Sequence, residues 1–341
     1  MPDIAGWDLG GAHLKVALAS DGQIVEAAQF ACPLWQGLDR LTAALEDARG
    51  LVGAASGHAI TMTGELVDLF VNRAEGVAQL VGSMTAAFPE TDIRFYAGRA
   101  GFLDGETARG RWGEVASANW LATAHYAAAC LPHGLLVDIG STTTDLVPFR
   151  DAQVLATGTT DAERLASNEL VYSGLTRTPV MAVVRRVPFA GVEQAVMAEH
   201  FATTADVYRL MGLLPEEADQ HPAADSGEKS RAGSARRLAR MLGRDLEDAD
   251  MTAWRDLADH LAQQQQAQIA EAAAGVLSSA DLDKSAPLVG AGIGCFLACD
   301  LAEAMARPYV DFAMLVEGSE TAKEWAACCA PAVAVALLAA R

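Results

Sequence analysis

Residues 135–149, LLVDIGSTTTDLVPF, place small hydroxyl side chains between two apolar runs. The runs predict a buried strand and its hairpin partner, with a turn whose N–H groups and hydroxyls can converge on an anion. An ordinary polar hairpin is the alternative, but such turns favour Asn-Gly or Asp-Gly pairs. We therefore predict that the turn binds phosphate through Gly140, Ser141, Thr142, Thr143 and Thr144.

Two carboxylates, Asp138 and Asp145, bracket this turn. A carboxylate beside a bound anion repels it unless a cation lies between them, and Mg2+ is held in this way by one or two carboxylates and water. The sequence therefore predicts a magnesium ion as cofactor, with Asp138 as one of its ligands. Asp145 is a candidate for the general base.

The N-terminal stretch IAGWDLGGAHLKVALAS repeats this design, because Asp8-Leu9-Gly10 has the same Asp-x-Gly form as Asp138-Ile139-Gly140. Two strand–turn–strand units about 130 residues apart predict a duplicated domain with a cleft between the halves. Both turns would then address one ligand, with Asp8 as the second magnesium ligand. Gly10 and Gly11 are the predicted phosphate-binding residues of the first turn.

Lys15 and His13 lie at the first turn, and each has two interpretations. The Lys15 ammonium neutralises a phosphate, or the alternating pattern around it turns the side chain to solvent. His13 donates to the ligand, or it is a solvated turn residue.

Polar residues at two predicted helix starts are further candidates. Residues 63–70 are predicted to form a helix with Thr63 as its N-cap, which makes Glu65 a general base or an acid that favours the helix dipole. Ser117 is predicted to cap the helix in SANWLATAHYAAAC, where Asn119 would bind substrate. His125 takes a proton or is a packed structural histidine.

Three later segments supply candidate substrate-binding residues. Arg177 can contact an anion, and residues 229–244 form a basic island whose Arg236 and Arg240 share a helical face. That face clamps a diphosphate, or its arginines pair with the acidic residues that follow. In PLVGAGIGCFLA, a predicted strand, glycine turn and helix, Gly290 and Gly292 permit close approach of a ligand.

Composition excludes several classes of protein. A chain of 341 residues that is 51% hydrophobic forms two domains or one large one, and a net charge of −19 argues against nucleic acid as a partner. The start of the chain lacks a signal-peptide pattern, and no apolar run is long enough to span a bilayer, so we predict a soluble cytoplasmic protein. Six cysteines without a CxxC pair are expected to be reduced core residues. The sequence allows a homo-oligomer.

DLGGAHLK, DIGSTTTDL and VGAGIG fall in the order of the phosphate-1, phosphate-2 and nucleoside motifs of the actin, sugar kinase and Hsp70 superfamily, and DIGSTTTDL resembles its hydantoinase and oxoprolinase group. The resemblance spans nearly the whole chain. It implies an α/β fold with duplicated actin-like ATPase (ribonuclease H-like) domains, whose mixed sheets are flanked by helices around a central cleft. Residues 1–131, completed by a C-terminal helix at 325–341, would form the first domain. Residues 132–324 would form the second, with a helical insertion at about 160–270.

Four further segments, TGELVDLF, SANWLATA, LVYSGLTRTPV and EHFATTADVYRLMG, are similar to proteins of tetrahydromethanopterin-linked one-carbon metabolism. That branch includes enzymes of methanofuran biosynthesis. The resemblance implies a transferase that condenses [5-(aminomethyl)furan-3-yl]methyl diphosphate with the phenol of a gamma-glutamyl-tyramine or tyrosine acceptor, releasing diphosphate. The partners would be these two small molecules.

ATP is a less fitting ligand, because the first turn, Leu9-Gly10-Gly11-Ala12-His13, lacks the hydroxyl residue that kinases of the superfamily commonly carry there. The alternatives are an ATP-dependent kinase, a hydrolase of the oxoprolinase or hydantoinase type, and a nucleotide-gated binding protein without turnover.

Overall fold

A computed structural model describes residues 3–53 and 55–341 of the chain. Its first half contains β1 (Ile4–Leu9), β2 (His13–Ser20), β3 (Gln23–Ala31), α1 (Leu38–Val52), β4 (Gly57–Met62), α2 (Arg73–Ala87), β5 (Asp92–Tyr96), β6 (Phe102–Leu103), α3 (Gly105–Gly110), α4 (Trp112–Val115) and α5 (Asn119–Cys130). The strands form one mixed sheet in the order β3-β2-β1-β4-β5-β6. In it β1 is antiparallel to β2 and parallel to β4.

The second half repeats this plan. It contains β7 (His133–Ile139), β8 (Thr144–Arg150), β9 (Gln153–Val154), α6 (Asp161–Ala166), β10 (Leu170–Val171), α7 (Val180–Val183), β11 (Arg186–Phe189), β12 (Val192–Ala195), α8 (Thr204–Met211), α9 (Arg231–Met241), α10 (Met251–Ser279), β13 (Leu288–Ala291), α11 (Cys295–Ala304), β14 (Tyr309–Asp311), α12 (Glu320–Glu324) and α13 (Ala330–Ala339). The second sheet has the order β10-β8-β7-β13-β14, and β9 pairs with β8. Since β7 lies between antiparallel β8 and parallel β13, as β1 lies between β2 and β4, the predicted duplicated α/β fold is confirmed.

Helix α13 packs against the first sheet, although it comes last in the chain. It is apolar on all sides, so it must be buried, and it packs against β1, β2, β4 and α5. Gly6 in β1 makes the contact possible, because a Cβ there would lie 2.1 Å from the carbonyl oxygen of Ala332. No helix in the described part of the chain is long and apolar enough to cross a membrane.

The predicted domain boundary at residues 131–132 falls between α5 and β7, and it stays a prediction. Helix α5 packs against α13 and also against β8 and β9 of the second sheet. The expected insertion contains α6 to α10 and a separate hairpin of β11 with β12. Gln265 on α10 is buried and donates to Ser173 Oγ and to the carbonyl oxygen of Gly174, which ties this helix to the segment after β10.

Two local predictions were wrong. The helix expected at 63–70 is only a three-residue 3-10 helix, Gly64–Leu66, and the Thr63 side chain does not cap it. Ser117 does not cap α5 either, because the N-cap residue is Ala118 and Ser117 has a left-handed backbone, with φ of 52°. In both places the polar side chains belong to contacts between distant segments, which a local pattern does not contain.

Candidate functional site

A cavity of about 510 Å³ lies between the two halves, next to both predicted phosphate turns. Its lining residues are Gly11, Ala12, Trp35, Thr63, Leu66, Val67, Asp68, Ser117, Asn119, Trp120, Thr142, Thr143, Asp145, Asp161, Arg164, Leu170, Tyr172 and Arg177. Residues separated by more than 160 positions in the chain therefore line one cavity. Six of them are site residues predicted from the sequence: Gly11, Asn119, Thr142, Thr143, Asp145 and Arg177.

At the first turn, Asp8 lies opposite Lys15 in the β1–β2 ladder, and Lys15 Nζ is 3.8 Å from Asp8 Oδ2. Burial raises the pKa of Asp8 to about 6, against the opposing effect of Lys15. Burial lowers the pKa of Lys15, but the carboxylates of Asp8 and Asp138 outweigh it, so that the pKa is raised. The second carboxylate oxygen of Asp8, Oδ1, is buried and has no hydrogen-bond partner among the described residues.

At the second turn, Asp138 lies opposite Asp145 in the β7–β8 ladder. Burial raises the pKa of Asp138 to about 7, Lys15 lowers it, and Asp145 and Asp8 raise it further. Asp8, Lys15 and Asp138 do not line the cavity, but each lies three or four positions along the chain from a lining residue. They form a buried group with two carboxylates and one ammonium, which we call the carboxylate–lysine cluster.

The turn between β7 and β8 is held from outside the hairpin. The carbonyl oxygen of Ser141 accepts hydrogen bonds from the backbone N–H groups of Thr176, at 3.2 Å, and Arg177, at 2.9 Å. The hydroxyl of Thr144 is buried and donates to the carbonyl oxygen of Ser173 at 2.7 Å, whereas Thr142 and Thr143 line the cavity. The part of this turn that lines the cavity is therefore Thr142 and Thr143.

A buried arginine, which sequence reasoning missed, lies beside Asp145. Arg164 is 1% exposed, and its Nη2 is 2.9 Å from Asp145 Oδ1. Its guanidinium also lies over the ring of Trp120, 3.9 Å from the centroid. Neither Arg164 Nε nor Trp120 Nε1 has a hydrogen-bond partner within the described part of the chain. The capping box of Thr160 and Glu163 predicts the helix that carries Arg164, but nothing local marks this side chain as part of a site.

Glu65 is 1% exposed and accepts a hydrogen bond from Ser117 Oγ, at 2.8 Å to Oε1. Its other oxygen, Oε2, is buried without a partner in residues 3–53 and 55–341. Burial raises the pKa of Glu65, although Ser117 opposes the shift. Ser117 lines the cavity, so this pair connects a buried carboxyl to the cavity wall.

Arg177 closes another side of the cavity, and its guanidinium lies 4.7 Å from the centroid of the Trp35 ring. Burial lowers the pKa of Arg177. Next to it, His221 Nε2 lies 2.9 Å from the carbonyl oxygen of Ala12, and the rings of His13 and His221 are 4.7 Å apart. Burial and the neighbouring cations hold the pKa of His13 well below its usual range, so its imidazole is neutral at pH 7.

Other candidates lie outside the cavity. Arg236 and Arg240 are exposed on α9, and Arg240 pairs with Asp225 at 3.3 Å. Between them, Arg237 forms a buried ion pair with Asp206 at 2.7 Å. The basic island thus forms ion pairs within the insertion, but its partners Asp206, Asp219 and Asp225 precede it in the chain, whereas the sequence interpretation placed them in the acidic residues that follow.

Neither His125 nor the glycine turn that follows β13 lines the cavity. A Cβ on Gly290 would lie 2.5 Å from the hydroxyl of Tyr309, and one on Gly292 would lie 2.5 Å from Asp138 Oδ1. These glycines therefore accommodate Tyr309 and the second turn. His125 is hydrogen-bonded to Tyr96, as expected of a structural histidine.

The described residues contain no group of three or more His, Cys, Asp or Glu side chains placed to hold a metal ion. This does not conflict with magnesium, which keeps several waters and uses only one or two protein carboxylates. The unpartnered Oδ1 of Asp8 and the raised pKa of Asp138 fit such a site, because both carboxylates lack sufficient positive charge. Asp8 and Asp138 are the residues that would hold the ion.

The sequence profile described as Hydantoinase/oxoprolinase matches residues 56–339. The chain belongs to this family. Among its relatives, the (4-{4-[2-(gamma-L-glutamylamino)ethyl]phenoxymethyl}furan-2-yl)methanamine synthase of Methanocaldococcus jannaschii is 33% identical over 246 residues, 72% of this chain and 72% of the relative. The protein of the same name from Methanococcus vannielii is 35% identical over 112 residues, 33% of this chain and 50% of the relative.

Among solved structures, the nucleotide-free form of an acetone carboxylase superposes on this hydantoinase/oxoprolinase family member with a TM-score of 0.52 and 11% identity. The match covers 89% of this chain and 67% of that one. At this identity the likeness shows the fold alone, and it agrees with the two mixed sheets flanked by helices.

Proposed function

We propose that the protein joins [5-(aminomethyl)furan-3-yl]methyl diphosphate to the phenol of gamma-glutamyl-tyramine, forming an aryl ether and releasing diphosphate. The observation that carries the proposal is the 33% identity, over 72% of both chains, to a synthase whose name describes this ether. Both relatives, the synthases of Methanocaldococcus jannaschii and Methanococcus vannielii, agree with a role as an enzyme of methanofuran biosynthesis.

The phosphate turns support a diphosphate ligand in the cavity. Gly11, Ala12, Thr142 and Thr143 line it, and Arg177, another lining residue, adds a guanidinium suited to an oxyanion. Bound between Asp8 and Asp138, Mg2+ would neutralise charge on the diphosphate and make it a better leaving group. Lys15 adds a fixed positive charge to the same carboxylates.

The cavity favours a diphosphate ester over ATP. Its lining includes both phosphate turns but none of the glycines at 290–294, where the superfamily resemblance places the nucleoside. Tyr309 lies against Gly290 and donates from its hydroxyl to the carbonyl oxygen of Cys295, at 3.2 Å. A substrate without a nucleoside needs no space there.

The proposed chemistry is an ionisation followed by capture. The bond between the furan methylene carbon and the diphosphate oxygen breaks, and its electron pair leaves with the diphosphate. N–H groups of the turns, Lys15 and Arg177 stabilise that growing negative charge, which is the usual main contribution of a preorganised site. The furan ring spreads the positive charge, and the phenol oxygen then bonds to the methylene carbon as its proton passes to a base.

The test is a reaction of the purified protein with the furan diphosphate, gamma-glutamyl-tyramine and Mg2+, followed by mass spectrometry of the ether and by release of diphosphate. We expect product from the native protein and none above background from Asp138→Asn, which keeps the shape of the side chain. Lys284→Met, a charge change on the exposed surface, is the matched control. A fully active Asp138→Asn protein would remove Asp138 from the site.

The family name also admits an ATP-dependent hydrolase of the oxoprolinase type. The same protein is therefore incubated with ATP, Mg2+ and a small lactam. Consumption of ATP that depends on the lactam, with no ether formed from the furan diphosphate, would replace the synthase proposal by this alternative.

A further inference from the structure

The hydrogen-bonded pair of Ser117 and Glu65 is built into the cavity wall. Ser117 Oγ donates to Glu65 Oε1 at 2.8 Å, and these residues are only 6% and 1% exposed. A hydroxyl has one proton to donate and lone pairs that accept. Because the Ser117 proton is directed to Glu65, the free lone pairs of Oγ are acceptors for a donor in the cavity.

The backbone around this pair is strained at Ser117 and closely packed at Glu65. Ser117 has φ of 52°, a left-handed conformation that an L residue rarely adopts. Glu65 approaches α2 so closely that a Cβ on Gly76 would lie 2.5 Å from the carbonyl oxygen of Glu65. Strained backbone conformations such as that of Ser117 cluster at functional sites, where the surrounding structure maintains them.

Glu65 differs from Asp145 and Asp161, two acids that line the cavity, in having no ion-pair partner among the described residues. Asp145 pairs with Arg164 at 2.9 Å, and Asp161 pairs with Arg73 at 2.8 Å. Asp68 also lines the cavity, but its side chain is exposed. Glu65 forms no ion pair with any described residue, and burial raises the pKa of its carboxyl, which makes it a stronger base than a solvated glutamate.

We propose that Ser117 and Glu65 together accept the proton of the phenol that attacks the furan methylene carbon, an assignment that rests on the proposed function. The phenolic O–H donates its proton to Ser117 Oγ while the Ser117 proton moves to Glu65 Oε1. The phenol oxygen then forms the new bond to the methylene carbon, from which diphosphate has already departed with the electron pair of the broken bond. Ser117 is the catalytic residue that touches the acceptor, and Glu65 is the final proton acceptor.

The test compares Glu65→Gln and Ser117→Gly with the native protein, using gamma-glutamyl-tyramine and derivatives fluorinated on the phenol ring. Glycine suits the left-handed backbone at 117, so that variant removes the hydroxyl without strain. We expect kcat to fall by about a hundredfold to ten-thousandfold in both variants, with little change in KM. The deficit should shrink as fluorination acidifies the phenol, because a more acidic phenol needs less help from a base.

Ser234→Ala is the matched control, since Ser234 Oγ donates to the buried Asp206 at 2.9 Å in the insertion, away from the cavity. It should leave kcat and the response to fluorination unchanged. A deficit that is equal for all phenols, or an unchanged kcat in folded Glu65→Gln, overturns the relay while leaving the synthase in place. A native protein that forms no ether overturns the proposed function, and the relay with it.

Discussion

Burial shifts the pKa values of an aspartate and a histidine in opposite directions, so acid affects the stability of the fold differently through each. Burial raises the pKa of Asp138 to about 7 and lowers the pKa of His58 to about 4. Both shifts arise because a low-dielectric surrounding disfavours the charged form, which is the anion for aspartate and the cation for histidine. Between pH 4 and 6.5, acid therefore stabilises the fold through Asp138 and destabilises it through His58.

His58 is the easier of the two to test, because it lies in the first sheet away from the cavity. Its Nδ1 accepts a hydrogen bond from Trp7 Nε1 at 3.0 Å, a bond that protonation removes. Its contribution is complete above its unfolded-state pKa of 6.5 and is lost as pH falls towards 4. We expect the native protein to lose about 3 kcal/mol of unfolding free energy over that interval beyond the loss in His58→Gln.

Urea unfolding at pH 7.5 and pH 4.5 measures this difference. His200→Gln, a change at an exposed histidine, should keep the full pH dependence of the native protein. Equal losses in the native protein and in His58→Gln would show that His58 remains protonated or solvated in the fold.

Among the structural elements, the turn after β13 shows how tightly the turn between β7 and β8 is packed. Gly292 has φ of 80°, and a Cβ there would lie 2.3 Å from the carbonyl oxygen of Ile139. An alanine would therefore introduce backbone strain and press on the strand that ends in Asp138. The glycine motif that the sequence assigned to a ligand supports the neighbouring turn.

Gly292→Ala is expected to lower the free energy of unfolding by at least about 2 kcal/mol, from strain and overlap together. Gly275→Ala is the matched control, because nothing lies within 4 Å of a Cβ at that exposed position of α10. There alanine should stabilise by about 0.5–1 kcal/mol through the lower entropy of the unfolded chain. Denaturant unfolding of both variants measures the contrast, and a neutral Gly292→Ala would contradict the packing described.

The elements also show what sequence could and could not predict. The β7–β8 hairpin and its repetition at β1–β2 were predictable, because apolar runs, an Asp-x-Gly turn and their order are local features. Arg164 beside Asp145, and Ser117 beside Glu65, were not. Each of these contacts joins segments that only the tertiary fold brings together, and for Ser117 the local pattern favoured a helix cap that the left-handed backbone prevents.

Across the whole molecule, α13 joins the end of the described chain to its beginning. Its side chains pack against the first sheet and against α5, which in turn contacts the second sheet. The Arg73–Asp161 ion pair at 2.8 Å also links the halves, but it is partly solvated and contributes little. One face of the first sheet is therefore covered by residues that come last in the described chain, whereas its other face has a core of its own.

Removing residues 330–341 should abolish cooperative unfolding of the protein, because it uncovers the apolar face of the first sheet. Near-ultraviolet circular dichroism and binding of a hydrophobic dye report the loss. Removal of residues 340–341 alone, which lie beyond α13, is the control and should preserve the native signals. A cooperative transition in the shorter protein would show that the first sheet is stable without α13.

The position of α13 has a consequence for biosynthesis on the ribosome. Residues 4–130 leave the ribosome before the second sheet does. Helix α13, which covers β1, is translated only after that sheet. During vectorial synthesis the nascent chain must carry an uncovered apolar sheet for some 200 residues, in the state most exposed to aggregation. A chaperone that shields this sheet would compete with α13 for the same face until translation has passed residue 339.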